Sequence, residues 1–456
     1  MGSKWVHAKL GDYIDSNLGK MLDQNKNKGD FHPYLGNSNV RWGYFDLENL
    51  SLMKFEEHES DRYGIRKGDL IICEGGEPGR CAIWEDDVPN MKIQKALHRV
   101  RPLPGLTSEY LYYWFLYFGR TGQLDAYFTG TTIKHLTGKA LSELPIEIPP
   151  IDEQKHISMV LGSLDTKIKA NRKINKTLEQ MSQTLFKSWF VDFDPVIDNA
   201  LDAANPIPEA LQSRAELRQK VRNSTDFKPL PAEIRSLFPS EFEETELGWV
   251  PKGWESETFD SFCDLIQSGG TPSRKETSFW DGGTIKWLSS GEVKGKIVLD
   301  TKEKITDIGL LNSSSKLWEK YTTVVAMYGA TAGEVCIIGD KMAANQACCG
   351  LYSKTFPFFV YNFVCNKANE LASKATGSAQ QNLNKLIIST TKFICPSNDI
   401  ITIFEDNVTP LFMKWFSNSS ENNTLTALRD TLLPKLISGE LSVEDLPDHI
   451  KQTEAA

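Results

Sequence analysis

The residues with the clearest potential for chemistry are acidic side chains and a lysine in the second half of the chain. Asp281 is followed by Glu292, Val293 and Lys294, and carboxylates in such a pattern can hold the metal ion of a nuclease. However, a glutamate two positions before a lysine is common by chance, and the first half of the chain lacks this pattern. We therefore expect no nuclease centre here.

Other catalytic signatures are incomplete. Residues 329–333 (GATAG) lack the lysine of a phosphate-binding loop, and residues 205–208 (NPIP) lack the adjacent prolines and the aromatic residue of an adenine methyltransferase. The eight cysteines form no CxxC pair and the seven histidines no HExxH motif, so we expect no metal site. This pattern favours a recognition protein that is not itself an enzyme.

The negative charge of the chain is concentrated in one segment. The 456 residues carry a formal net charge of −9, and residues 192–246, with twelve acidic and six basic side chains, account for −6 of it. Since the rest is close to neutral, contact with DNA through local patches is permitted but not indicated. The longest apolar run, residues 110–118, is about half of the roughly 20 residues that a membrane-spanning helix needs. We expect a cytoplasmic protein without membrane contact.

An internal repeat organises the chain. At an offset of 247 residues, apolar positions of the two halves match with the 4-3-4 spacing of a helical seam. The pairs include Ile157 and Phe404, Leu161 and Val408, Leu164 and Leu411, Ile168 and Trp415, and Leu185 and Leu432. At the same offset Asn171 matches Asn418, and Asn175 matches Asn422. Two unrelated amphipathic helices would explain the leucines but not the asparagines, so we infer a duplication.

The repeated seam predicts two long helices that pair with each other. Residues 152–187 would form a helix roughly 54 Å long at about 1.5 Å per residue, and such a helix is not stable in water without a partner. Asparagine in an apolar seam costs stability but fixes register. We therefore predict that Asn171, Asn175, Asn418 and Asn422 determine how the helices meet. An antiparallel pair would hold two domains apart as a ruler does; the alternative is that each helix covers its own domain.

These patterns predict a mixed α/β (α+β) fold. We expect two similar domains separated by a pair of long antiparallel coiled-coil helices, with a pseudo-twofold internal repeat. The expected segments are a first domain (1–150), a first helical region (151–194), an acidic, proline-rich linker (195–250) with one short helix at 208–221, a second domain (251–396), a second helical region (397–445) and a tail (446–456).

Several segments resemble one known family. Residues 183–195 (QTLFKSWFVDFDP), 432–441 (LLPKLISGEL) and 247–255 (LGWVPKGWE), with Gly269-Gly270-Thr271-Pro272, are similar to specificity subunits of type I restriction-modification systems. The resemblance covers essentially the whole chain. It implies two target-recognition domains, each reading one half of a bipartite asymmetric DNA site, and helical regions that set the spacer.

The same resemblance implies partners and cofactors. Two methyltransferase subunits are expected to dock on the helical regions with S-adenosylmethionine, and two motor-nuclease subunits to contribute ATP and Mg chemistry. This chain itself is expected to bind double-stranded DNA and no cofactor. Because partner subunits can neutralise phosphates, an acidic recognition subunit need only read base edges.

Candidate DNA-reading residues are polar or basic side chains in turn-rich segments, since arginine can bind guanine and asparagine or glutamine can bind adenine. In the first domain they are Lys20, Asn37, Asn39, Arg41, Lys92, Gln94, Thr131 and Lys134. In the second they are Ser273, Arg274, Lys286, Tyr328, Gln346, Ser378, Gln380 and Gln381. For each one, a solvated surface position is the competing interpretation. For the whole chain, the competing functions are a self-contained DNA methyltransferase or nuclease with an unrecognised active site, and a scaffold that never contacts bases.

Overall fold

A computed structural model describes residues 5–23, 27–130, 134–373 and 383–445. The chain divides into two compact units, which are treated separately below. Unit 1 consists of residues 1–168 together with 424–456, and unit 2 consists of residues 169–423. Among the described residues, no helix is both long enough and apolar enough to cross a membrane.

The described part of unit 1 contains eleven strands, three helices, the first part of a long helix that continues into unit 2, and the end of a second long helix that begins there. The strands are β1 (Val6–Lys9), β2 (Ile14–Leu18), β3 (Asp30–Leu35), β4 (Val40–Arg41), β5 (Tyr44–Phe45), β6 (Ser51–Phe55), β7 (Leu70–Cys73), β8 (Cys81–Ile83), β9 (Lys92–Ile93), β10 (Leu97–Pro102) and β11 (Pro145–Ile148). The helices are α1 (Ser60–Tyr63), α2 (Ser108–Arg120), α3 (Gly138–Glu143) and α4 (Ile151–Phe190).

The centre of unit 1 is an antiparallel sheet of order β2-β10-β7-β8, against which α2 packs. Helix α2 begins at Ser108 because the Thr107 hydroxyl accepts a hydrogen bond from the backbone N–H of Tyr110. Its residues from Tyr110 to Leu116 are all buried, which explains why the aromatic run of the sequence is apolar on every side. A smaller sheet of order β6-β3-β9 and the pair β1-β11 complete the unit.

Unit 2 repeats this plan with its own strands and helices. The strands are β12 (Phe242–Thr245), β13 (Gly248–Pro251), β14 (Glu255–Thr258), β15 (Leu265–Ser268), β16 (Ile285–Leu288), β17 (Ile297–Val298), β18 (Glu303–Ile305), β19 (Thr323–Ala326), β20 (Val335–Ile338), β21 (Ala343–Ala344), β22 (Cys348–Tyr352) and β23 (Lys392–Cys395). The helices are α5 (Asp194–Ala203), α6 (Glu209–Arg222), α7 (Ala232–Arg235), α8 (Phe259–Phe262), α9 (Asp307–Leu311), α10 (Pro357–Ser373), α11 (Lys385–Ser389) and α12 (Asn398–Ile437), the last of which ends in unit 1.

The two main sheets of unit 2 follow the strand orders of those in unit 1, with one strand added. The order β15-β22-β19-β20 corresponds to β2-β10-β7-β8, with β17 added at one edge. The order β18-β16-β21 corresponds to β6-β3-β9, and in both sheets the central strand pairs antiparallel on one side and parallel on the other. The pair β14-β23 corresponds to β1-β11. The mixed α/β fold and its internal repeat are therefore confirmed.

Residues 194–251, here called the inter-repeat segment, are more ordered than the expected linker with one short helix. They contain α5, α6, α7 and the hairpin β12-β13. Three arginines at four-residue spacing on α6 meet three aspartates at the same spacing on α5, and Asp194 and Asp198 are buried. The ion pairs are Arg214 with Asp194, Arg218 with Asp198, and Arg222 with Asp202. Acidic composition alone indicated a linker because it does not reveal that three aspartates and three arginines of the segment face one another.

The two long helices, α4 and α12, each contain 40 residues, which corresponds to about 60 Å. They run antiparallel where they meet within each unit. In unit 1, Arg429 of α12 binds Asp165 of α4. In unit 2, Asn418 of α12 binds Asn175 of α4. The predicted helix pair is confirmed. Because the two helices contact each other, the alternative in which each helix only covers its own domain does not hold.

Candidate nucleic-acid interface

The four repeated asparagines meet where α4 and α12 pair in unit 2. Asn418 Nδ2 donates to Asn175 Oδ1 at 2.9 Å, and Asn171 Nδ2 donates to Asn422 Oδ1 at 3.1 Å. The 247-residue offset turns one of these pairs into the other, so the cluster has local twofold symmetry. Asn171, Asn175 and Asn418 are buried. Because a buried amide without partners is costly, a shift of the helices along each other would be penalised here.

Two further side chains in this cluster carry no signal in the repeat. Asn171 Nδ2 also donates to Glu421 at 2.8 Å, and Asn175 Nδ2 donates to the Ser419 hydroxyl at 3.3 Å. Ser419 and Glu421 are partly buried, and the residues that match them at the 247-residue offset, Arg172 and Ile174, are of other types, so the repeat does not single them out.

An ionic contact holds the helix pair in unit 1. Arg429 Nη1 donates to Asp165 Oδ1 at 2.7 Å, and the Tyr113 hydroxyl donates to the other oxygen of that carboxylate at 2.9 Å. Burial alone would lower the pKa of Arg429, but the hydrogen bond and charge of Asp165 raise it overall. At the 247-residue offset Arg429 corresponds to Ser182, whose hydroxyl donates to Asn362 of α10. This contact joins α4 to α10 and so differs from the one that joins the two long helices in unit 1.

A buried carboxylate ties α12 to α10 within unit 2. Glu405 accepts hydrogen bonds from the backbone N–H groups of Phe358 and Phe359 at 2.9 and 2.8 Å. Burial raises its pKa to about 7, although the two backbone hydrogen bonds oppose the shift. In unit 1, Gln154 on α4 has the corresponding role, because its Oε1 accepts from the backbone N–H of Thr107 at the start of α2. Each long helix is thus fixed to the α/β domain that precedes it in the chain.

Two glycines at equivalent places bring the β2 and β15 ends against the small sheets. A Cβ at Gly19 would lie 2.3 Å from the carbonyl oxygen of Gln94, and one at Gly269 would lie 2.2 Å from that of Asn345. No side chain fits at these distances, so both positions require glycine. They determine where the adjacent loops begin, and those loops carry Lys20 in unit 1 and Arg274 in unit 2.

Two of the first-domain candidates are buried. Lys20 Nζ binds Glu59 at 2.5 Å and the carbonyl oxygen of Lys54 at 3.0 Å. Lys92 Nζ donates to the Ser60 hydroxyl at 3.0 Å, and burial lowers its pKa. In this arrangement both lysines support the small sheet.

The two asparagine candidates of the first domain hold turns. Asn37 Nδ2 donates to the carbonyl oxygen of Gly75, and Asn39 both accepts from the backbone N–H of Gly36 and donates to the carbonyl oxygen of Asp46. The side-chain amides of both asparagines are therefore hydrogen-bonded to backbone groups of unit 1. Thr131 lies outside the described residues.

The remaining first-domain candidates are accessible. Arg41 is about 39% exposed in its side chain and lies 3.8 Å from Asp46. Lys134 is exposed, with an ion pair of 3.0 Å to Asp125. Gln94 is partly exposed beside Gly36. These three residues are the ones that could reach a ligand without rearrangement of the core.

In the second domain, Arg274 has the most defined surroundings. Its guanidinium lies 3.7 Å from the ring centre of Trp280 and 4.9 Å from that of Trp287, and it pairs with both oxygens of Glu303. The hydrogen bonds of Glu303 raise the pKa of Arg274, although burial opposes the shift. Half of the side chain remains exposed. No local sequence pattern links these four residues, because they come from separate turns and strands.

The other second-domain candidates are dispersed. Lys286 pairs with Asp340 at 2.7 Å, while Ser273 and Gln346 are exposed and Tyr328 is about 40% exposed. The Gln346 side chain accepts a hydrogen bond from the Thr271 hydroxyl. Ser378, Gln380 and Gln381 lie outside the described residues.

The nuclease-like residues do not form a metal centre in the described part of the chain. Glu292 binds the backbone N–H groups of Ser289 and Lys302 and thereby caps a turn. Across the described ranges, no group of three or more histidine, cysteine or acidic side chains is placed to hold a metal ion.

These observations define a class of protein in which one α/β module occurs twice along the chain and each copy is followed by a long helix. The chain belongs to the family described as "Type I restriction modification DNA specificity domain", whose model matches residues 2–180 and 251–409.

Individual relatives agree with this membership. The chain is 27% identical to the type I restriction enzyme HindI specificity subunit of Haemophilus influenzae over 96% of its own length and 100% of the relative's. It is 25% identical to the MjaIX specificity subunit of Methanocaldococcus jannaschii over 83% of this chain and 79% of that one. Among solved structures, the S subunit of a type I restriction-modification system from M. genitalium is similar with a TM-score of 0.53 at 16% identity, covering 95% of this chain and 96% of that one. This likeness shows a shared fold.

Proposed function

We propose that this chain is the DNA sequence-recognition subunit of a type I restriction-modification complex, with each domain reading one half of a bipartite asymmetric site. The observation that carries the proposal is the double match of the family model to two modules with equivalent sheets. Two similar modules with different side chains suit a target whose halves differ in sequence. Arg274 beside Glu303 illustrates this difference, because its equivalent loop in unit 1 carries the buried Lys20 instead.

The paired helices, in this proposal, set the spacer between the half-sites and dock methyltransferase subunits. Support comes from their equal length and from the buried asparagines, which make one register the most stable. A spacer must be stiff to define a distance, and a pair of 40-residue helices with interlocking polar contacts has that property.

We further propose that the chain is not catalytic and binds no cofactor itself. Two methyltransferase subunits would bring S-adenosylmethionine, and two motor-nuclease subunits would bring ATP and Mg. The complex would act in the cytoplasm, where its DNA substrate lies. The capping role of Glu292 supports this division of labour, since one of the two carboxylates of the nuclease-like pattern is engaged by backbone N–H groups.

Co-expression with the cognate methyltransferase subunit, followed by sequencing that detects N6-methyladenine, tests the proposal. We expect methylation at one bipartite motif. Methylation without sequence preference would instead support a scaffold that never contacts bases.

The enzyme alternative needs a separate experiment. The purified chain is incubated alone with DNA, S-adenosylmethionine and Mg. Methylation or cutting of the DNA in the absence of partner subunits would refute the non-catalytic role.

A further inference from the structure

Unit 1 has an aromatic cavity that none of the roles above uses. It has a volume of about 530 Å³, within the range of roughly 300–1,000 Å³ that is typical of ligand sites. Trp114 and Phe118 form part of its wall and stack with ring centres 4.0 Å apart. Tyr117 and Tyr127 add two further rings, and Ile437 at the end of α12 also lines the cavity. The site is therefore built to receive apolar groups.

The rim of the same cavity is polar and carries a carboxylate. Glu147 on β11 is half exposed and lies 3.2 Å from the Nδ1 atom of His7 on β1. Gln123 and Ser438 also line the cavity. An occupant with an apolar side chain would match the aromatic wall of the cavity, and a cation next to that side chain would match the carboxylate on the rim.

The equivalent end of unit 2 is covered by protein. At the 247-residue offset, Ile437 corresponds to Phe190, and Pro145, which lines the cavity, corresponds to Lys392. In unit 2, Phe238 of the inter-repeat segment packs on Trp189, directly before Phe190, with ring centres 5.2 Å apart. Glu246 of the same segment binds Lys392 at 2.5 Å. A polypeptide segment thus occupies in unit 2 the surroundings that, among the described residues of unit 1, form an open aromatic cavity.

We infer that the unit 1 cavity is a docking site for a segment of the methyltransferase subunit that presents an aromatic or branched apolar side chain next to a lysine or arginine. This inference rests on the proposed function, which places methyltransferase subunits on the helix pair. The cavity continues that surface, because Ile437 is the last residue of α12. The partner would supply to unit 1 an apolar contact like the one that Phe238 of the inter-repeat segment supplies to unit 2, whereas its cation would pair with the carboxylate of Glu147.

Filling the cavity tests the inference. Ala126 is exposed and lines it, so Ala126→Trp should place an indole where the partner's side chain would bind. Ala232→Trp is the matched control, since Ala232 is an exposed first residue of α7 in unit 2. The dissociation constant of each full-length variant for the methyltransferase subunit is measured by calorimetry, and folding is checked by the thermal midpoint. We expect Ala126→Trp to weaken binding at least roughly tenfold and the control to leave it unchanged.

A second variant tests the charge of the rim. Glu147→Lys should weaken binding in the same assay, with an effect that grows as ionic strength falls. If Ser438→Trp, which fills the cavity from α12, also weakens binding while the thermal midpoint is kept, misfolding of one variant cannot account for the result.

Three outcomes would overturn the inference. Wild-type affinity of the folded Ala126→Trp and Ser438→Trp variants would show that the cavity takes no part in assembly. If the sedimentation coefficient of the free chain changes when the cavity is filled, the occupant is a second copy of the chain. If the filled variants bind DNA more weakly but still assemble with the methyltransferase subunit, the occupant is DNA. If the wild-type chain binds no methyltransferase subunit at all, the proposed function itself fails, and the wild-type measurement distinguishes that case from the others.

Discussion

Lengthening the helix pair should lengthen the spacer of the DNA target. Facing residues of the two helices have numbers that add to the same value, since 171 + 422 and 175 + 418 are both 593. An insertion after Glu179 of α4 is therefore opposite an insertion after Met413 of α12, because 179 + 414 is also 593. Inserting four residues at both places keeps the asparagine pairs and adds one helical turn.

The expected size of the change follows from the two helical repeats. Four residues add about 6 Å at about 1.5 Å per residue. Because successive base pairs of DNA are separated by about 3.4 Å, the spacer should grow by about two base pairs while both half-sites stay the same. Four residues complete slightly more than one helical turn, so one domain would also rotate by about 40° from its original orientation. We expect the spacer to change by the whole number of base pairs closest to the added length.

Sequencing of N6-methyladenine in cells that express the variant with its methyltransferase subunit measures the spacer directly. A control variant carries the same four residues after Asn223, in the loop that follows α6, and should keep the original spacer. An unchanged spacer in the helix variant, with both half-sites still methylated, would refute the ruler.

Three further predictions concern contacts along the helices. Asn418→Ala removes the partner of the buried Asn175 amide and should lower the free energy of unfolding by about 1–3 kcal/mol, and an unchanged urea midpoint would contradict this. Asp165→Asn leaves Arg429 buried with only the adjacent carboxylate of the next residue, so we expect a loss of about 3 kcal/mol in the same assay, and less than 1 kcal/mol would argue against a buried ion pair. Glu405 has a pKa raised to about 7 in the folded chain, above its unfolded value, so its contribution to stability is complete at low pH and is lost as pH rises towards 7 and beyond. Glu405→Gln should remove this loss, so that the variant gains on the wild type between pH 5 and 8 in thermal midpoint, and parallel pH profiles would exclude the assignment.

The arrangement of the chain as two similar halves with paired helices could be predicted from the sequence, because the sequence contains an internal repeat. A 247-residue offset that matches Asn171 with Asn418 requires two copies of one plan, and apolar seams of this length require paired helices. The structure agrees on both points and confirms the antiparallel direction that was expected for the pair.

The side-chain environment of the candidate DNA-reading residues could not be predicted in the same way. Lys20 and Arg274 occupy comparable loops and are both basic, yet one is buried against Glu59 and the other is half exposed between two tryptophans. Exposure depends on which distant strand meets each loop, and amino-acid type carries no such information. The order of the inter-repeat segment has the same cause, because Asp194 and Arg214 are neighbours only after α5 and α6 fold back on each other.

The sequence by itself thus determined the duplication, the helical spacer and the family, since each of these follows from periodicity and spacing along the chain. Tertiary structure alone decided which polar side chains are buried in ion pairs and which stay accessible, and it alone formed the aromatic cavity lined by described residues of unit 1. These properties depend on contacts between residues far apart in the chain, where the free energy of burying a charge or a ring is set by the partner it meets.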